Sequence, residues 1–220
     1  MHRKQTQIGI FGGTFNPVHC GHLKAADRVR KIFSLSEVIF IPSFIPPHKE
    51  SSGIASPQHR LKMVELAAAP FPGFFPSAME IKAGGRSYSI DTLETMKSIY
   101  SEAKIFFLLG IDAFLEIETW KDYESVLDQC SFIVMSRPGF DLEDASGVLN
   151  EKHLPRIRRV SKNEPHAGPQ PQEDLIYLVS IDSMDISSSE IRKRVKMDRP
   201  IEGLVPASVE HYIKEKGLYR

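Results

Sequence analysis

The chain has 220 residues, enough for one large α/β domain with a buried core or for two small ones. Its 28 Lys and Arg balance 28 Asp and Glu, so no global field recruits a polyanion, and nucleic acid is a poor expectation as a partner. Two isolated cysteines, a polar N-terminus and no run near the ~20 apolar residues of a membrane span point to a soluble protein of a reducing cytoplasm, with no membrane partner.

Strand and helix patterns alternate along the chain. Gln7 to Phe11 is a short apolar run ended by Gly12-Gly13 and reads as a buried strand. Gly21 to Phe33 carries Leu23, Ala26, Val29, Arg30 and Phe33 at helical spacing. Glu37 to Ile41 is a second buried strand, stopped by Pro42, and Ser43 to Ser56 reads as a loop. Ser56 as N-cap and Pro57 at the first position open a helix to about Ala69. Phe74 to Ile81 is expected as a strand and Ser89 to Tyr100 as a helix. Lys104 to Leu109 is the clearest buried strand, followed by a short helix at Tyr123 to Asp128 and a strand at Phe132 to Met135. A last strand is expected within Glu173 to Ile181, and helices at Ser187 to Lys196 and Pro206 to Lys216. Ser161 to Gln172, rich in Pro, Gly and Gln, reads as a surface loop rather than a linker, so residues 1–220 are expected to form one domain.

Continuous Val/Ile/Leu/Phe strands separated by helices predict a Rossmann-like α/β fold, a doubly wound and mainly parallel sheet with helices on both faces. Such sheets bind ligands at the carboxyl ends of their strands, near the switch in strand order. The loop after the first strand meets the start of the first helix, where unpaired N–H groups and the helix dipole favour a phosphate. Gly12 and Gly13 let an anion approach the backbone, and Thr14 adds a hydroxyl. His19 and His22, three apart, share one face of the helix start. Beside a polyphosphate they become easier to protonate and can stabilise charge on a departing pyrophosphate. Neither a Gly-Lys-Ser/Thr phosphate loop nor the three-glycine dinucleotide fingerprint is present. A zinc site from His19, Cys20 and His22 lacks the second half of a tetrahedron. Two ordinary polar histidines at a helix start are the remaining alternative.

A second anion-friendly arrangement lies far along the chain. Ser187 reads as an N-cap completed by Glu190 into a capping box, with Ser189 and Arg192 three apart at the same helix start. Arg192 offers a fixed fork to phosphate oxygens.

Gly12-Gly13-Thr14-Phe15-Asn16-Pro17-Val18-His19-Cys20-Gly21-His22-Leu23 resembles the HxGH signature of the adenylyl- and cytidylyltransferase superfamily, with Asn16 where most members have Asp. Ile186-Ser187-Ser188-Ser189-Glu190-Ile191-Arg192 resembles its second signature. Pro46-Pro47-His48-Lys49, Ser87 to Leu93, Gly110-Ile111-Asp112, Thr119-Trp120-Lys121, Arg137-Pro138-Gly139 and the C-terminal Gly217 to Arg220 are, in order, similar to the bacterial nicotinate-nucleotide adenylyltransferase family. The resemblance implies adenylyl transfer from ATP to nicotinate mononucleotide in NAD biosynthesis. His19, His22 and Arg192 would be catalytic; Gly12, Gly13, Thr14, Phe15, Gly110, Asp112, Ser187 and Ser189 would bind ATP. Lys49, Ser89, Trp120, Lys121 and Arg137 would bind nicotinate mononucleotide, with Trp120 stacked on the pyridine ring. Mg²⁺ would travel with ATP, held by substrate oxygens and water. The sequence leaves a homo-oligomer open.

Overall fold

A computed structural model describes residues 5–46, 53–160, 174–182 and 184–220. These residues form a seven-stranded, wholly parallel sheet in the order β3-β2-β1-β4-β5-β7-β6. The strands are β1 (Gln7–Gly13), β2 (Glu37–Pro42), β3 (Phe74–Pro76), β4 (Lys104–Gly110), β5 (Ser131–Met135), β6 (Ile157–Val160) and β7 (Ile176–Val179). The helices are α1 (Cys20–Ile32), α2 (Pro57–Ala68), α3 (Met79–Ala83), α4 (Ser89–Ile99), α5 (Ile111–Phe114), α6 (Tyr123–Leu127), α7 (Ser188–Lys196) and α8 (Ala207–Glu215). Strand order reverses between β1 and β4, which are paired in register from Gln7 opposite Lys104.

The alternation of side chains along each strand divides the core in two. Phe11, Val38, Phe40, Phe106, Leu108, Ile133 and Tyr177 face one layer, where they meet Leu23, Ala26 and Val29 of α1 and Met63, Val64 and Ala67 of α2. Ile191 of α7 and Val209 and Ile213 of α8 close that layer. Ile8, Ile10, Ile39, Ile41, Phe107, Leu109, Phe132 and Val134 face the other, under Ile90, Leu93 and Met96 of α4 and Phe114 of α5. Both faces of the strands are therefore buried, which is why they read as unbroken apolar runs.

Local signals explain most boundaries. Ser56 Oγ accepts from the His59 N–H at 3.3 Å, with Pro57 beginning α2. Ser187 Oγ accepts from the Glu190 N–H at 3.1 Å, but the Glu190 carboxylate takes Arg194, 3.2 Å away, so only the forward half of the capping box forms. The strand expected over residues 74–81 is corrected: β3 stops at Pro76, and Met79–Ala83 is helical. Proline offers no ladder N–H, and Ser77 turns the chain by accepting from the Met79 N–H at 3.3 Å. β6 was not expected at all. The loop read at residues 161–172 lies outside the described residues.

Candidate active site

At the carboxyl ends of β1, β4 and β5, the starts of α1 and α7 enclose a cleft of about 560 Å³. This is the edge where strand order reverses, the position a doubly wound sheet offers a ligand. Gly12 and Gly13 form its floor at the end of β1, and Thr14, Phe15 and Asn16 lead away from them. All the residues named above for catalysis and for ATP line this one cleft: the two histidines, Gly110, Asp112, Ser187, Ser189, Arg192 and the Gly12–Phe15 run.

The two histidines are held as a unit. Their rings touch at a tilt, with centroids 3.6 Å apart and planes 31° from parallel, and the His19 backbone N–H donates to His22 Nδ1 at 3.2 Å. Accepting at Nδ1 puts the proton of a neutral His22 ring on Nε2. Phe15 packs edge-on against the same ring at 5.2 Å, from a backbone in the left-handed region at φ 48°. A non-glycine residue persists there only when its surroundings fix it; here Phe11 and Phe40 clamp the Phe15 ring. His19 is 6% exposed. Burial, and secondarily the Arg137 charge, lower its pKa from 6.5 to about 4. In the ligand-free protein His19 is therefore neutral at pH 7, and only an arriving polyphosphate supplies the negative charge that favours its protonation.

The start of α7 is stitched to the opening loop across more than 170 residues of sequence. Arg192 Nη1 donates to the Asn16 carbonyl at 2.9 Å, and Ser188 Oγ donates to the Pro17 carbonyl at 2.9 Å. Arg192 Nη2 donates to Ser189 Oγ at 3.3 Å. These bonds occupy one edge of the guanidinium and hold it at the cleft wall facing the α1 start. Asn16 is itself a junction: its Nδ2 donates to the Gly53 carbonyl at 3.1 Å, while Oδ1 accepts from the Ala55 N–H at 3.0 Å and the Tyr219 hydroxyl at 2.8 Å. An aspartate could not make the first of these bonds. The opposite wall carries Asp112 paired with Arg137. Arg137, expected on the acceptor side, thus faces the same cleft as the ATP residues.

The residues fit a recognised sequence pattern throughout. The cytidylyltransferase-like profile matches residues 10–194, from the middle of β1 into α7. A probable nicotinate-nucleotide adenylyltransferase from Citrifermentans bemidjiense is 42% identical over 219 residues, spanning 97% of this chain and 98% of that one. One from Thermoanaerobacter sp. is 40% identical, spanning 99% and 96%. The chain belongs to the nicotinate-nucleotide adenylyltransferase family. Among solved structures, a Plasmodium falciparum nicotinic acid mononucleotide adenylyltransferase complexed with NaAD superposes with a TM-score of 0.74 at 22% identity, covering 97% of each chain. That likeness carries the fold.

The remaining residues expected for the family's second substrate form a separate patch beside the cleft. Lys121 lies over the Tyr88 ring at 4.8 Å and pairs with Asp91 at 3.4 Å, beside Ser89 at the start of α4. Trp120 is half-buried and leans edge-on against Phe107, with centroids 6.1 Å apart. Phe107 Cζ lies 3.6 Å from where a Gly12 side chain would begin, so the Phe107 ring touches both Trp120 and the end of β1. Lys49 falls outside the described residues. Residues the sequence pattern did not single out also line the cleft: Ile54, Ser136, Ile181 and Met184. The apolar ones offer surface to a flat heterocycle, but in sequence they look like any loop aliphatic. Among the described residues no three His, Cys, Asp or Glu side chains converge on a metal site, and Asp112 is the acidic side chain lining the cleft.

Proposed function

We propose that this adenylyltransferase joins ATP to nicotinate mononucleotide, giving nicotinate adenine dinucleotide and pyrophosphate. The observation that carries it is the stitched cleft: a glycine floor, two histidines in ring contact and Arg192 brought to one point by the Asn16 carbonyl. The relatives named for the same reaction, matched along nearly their whole length, support the acceptor.

The acceptor phosphate attacks the α-phosphorus of ATP in line, and the bond to pyrophosphate breaks. The nucleophile is already an anion, so no general base is required, and positioning with charge stabilisation carries the rate. Gly12 and Gly13 let the triphosphate approach the backbone at the start of α1. His22, proton on Nε2, donates to a non-bridging oxygen, and His19 behind it fixes the ring. Arg192 meets the charge that develops as pyrophosphate leaves. Mg²⁺ arrives as part of the ATP substrate. Asp112 is engaged by Arg137, so phosphate oxygens and water would supply most of the ion's ligands. Trp120 takes the pyridine ring, with Ser89 and Lys121 toward its carboxylate.

The test is pyrophosphate release from MgATP with nicotinate mononucleotide, nicotinamide mononucleotide and phosphopantetheine side by side. Turnover with the first is expected. Equal or better use of nicotinamide mononucleotide refutes the acceptor, and no release with any acceptor refutes the reaction. His22→Ala is expected to lower kcat by ~10²–10³.

A further inference from the structure

Arg60 is among the most deeply buried side chains of the molecule, at 0% exposure, and lies in the first turn of α2, outside the cleft. Each of its three guanidinium nitrogens donates to a main-chain oxygen, and the three oxygens belong to separate segments. Nε donates to Ala55 at 3.0 Å, Nη1 to Thr14 at 2.8 Å and Nη2 to Phe44 at 2.9 Å. Among the described residues no carboxylate stands in ion-pair contact with it.

Glu80 acts on the Arg60 charge only from beyond ion-pair contact; burying such a cation is costly unless hydrogen bonds replace its water, and an apolar residue would fill the same space more cheaply. What an apolar residue could not do is hold two loops at a fixed separation. Thr14 belongs to the loop that carries the glycine floor. Phe44 belongs to the loop after β2, whose N–H donates to Ser87 Oγ at 2.8 Å, one residue before Tyr88 and two before Ser89. The Ser87 N–H returns to the Ile45 carbonyl at 3.0 Å. One planar fork thus joins the ATP loop to the loop that braces the Tyr88–Lys121 patch.

We propose that Arg60 is a positioning residue for adenylyl transfer: by bonding the Thr14 and Phe44 carbonyls at once, it sets the separation between the ATP loop and the acceptor-side loop. This rests on the assignment of those two loops to the two substrates. A rigid planar spacer suits the task, because in-line transfer has no covalent chemistry for the protein to perform and depends on the approach of two bound phosphates. Lysine keeps the charge but offers a single point and cannot span both carbonyls.

The experiment compares wild type with Arg60→Lys, well below the unfolding temperature of each. It measures kcat, both KM values and amide hydrogen exchange over residues 14–16 and 44–46. Arg60→Lys is expected to lower kcat by about tenfold or more, since an ångström of misplacement costs about a hundredfold, while each KM changes less than kcat. Exchange is expected to speed up in both loops together. A kcat per folded molecule within twofold of wild type overturns the proposal, as does protection lost from one loop or neither. If Arg60→Lys fails to fold, Ser87→Ala loosens the same loop by removing the hydroxyl that accepts the Phe44 N–H and also bonds the Glu80 carboxylate. Faster exchange at 44–46 with kcat reduced severalfold then supports the proposal, and unchanged kcat with that faster exchange overturns it. Failure of the substrate assignment shows separately, as a wild-type protein that releases no pyrophosphate; exchange in Arg60→Lys alone then decides whether the two loops are tied.

Discussion

Gly21→Ala separates catalysis from stability at the histidine pair. Gly21 is helical with no left-handed φ, so its backbone accepts alanine. The new Cβ would stand 3.0 Å from His19 Nδ1 and 3.1 Å from its Cε1, where ordinary contact begins near 3.4 Å. The His19 ring must retreat by about 0.3–0.4 Å, and it is buried against His22 at a centroid distance of 3.6 Å, so both rings move. If an ångström of misplacement costs about a hundredfold, that displacement lowers kcat about four- to sixfold. Stability moves little, because replacing a helical glycine returns up to about 1 kcal/mol, offsetting the crowding. Steady-state pyrophosphate release gives the first quantity and chemical denaturation the second. A folded variant with kcat within twofold of wild type would refute the idea that the His19 ring position governs the reaction.

Two further outcomes follow from buried groups. Because the folded pKa of His19 lies at about 4, below its ordinary 6.5, the unfolded chain binds more protons between those values, so stability rises with pH through that window and is lost as pH falls toward 4. The contribution is on the order of 3 kcal/mol at full extent, and His19→Gln is expected to flatten the difference in denaturation free energy between pH 7 and pH 4.5; equal slopes for the two proteins would sink this. Tyr219→Phe removes one of two donors to Asn16 Oδ1 and leaves the Ala55 N–H in place. It should cost about 1 kcal/mol and lower Tm by about 2–4 °C with kcat little changed. An unchanged Tm would mean that the C-terminus does not brace the opening loop.

The parts of the fold that showed in the sequence are those where burial is two-sided. β1, β2, β4 and β5 each read as unbroken apolar runs because helices cover both faces. β6 sits at the sheet edge, and of its four residues Arg158 and Arg159 are exposed, leaving Ile157 and Val160 as its whole apolar signal. Phe74-Phe75 suggested a longer strand than Pro76 allows, and Phe75, half exposed, contributes no core contact to extend it. The sequence placed the two histidines and Arg192 at helix starts at a spacing of three, and the structure brings them to one cleft. Asn16 looked only like a departure from pattern, since its three partners come from residues 53, 55 and 219.

Arg60 shows where a signal was present and easily passed over. Counting through α2, the buried positions are 60, 63, 64, 67 and 68, an apolar stripe at helical spacing that begins on an arginine. An arginine elsewhere on that helix would snorkel to water and carry no message. On the stripe it must either break the core or find acceptors inside it, and side chains supply few acceptors so close to a sheet edge. The acceptors left are the carbonyls of loops leaving the strands, which in a doubly wound sheet are also the loops that hold ligands. A cation at the head of a buried stripe, followed by strands whose exit loops bind substrate, is therefore a readable sign of a residue that spaces those loops. Here the three carbonyls it reaches belong to Thr14, Phe44 and Ala55.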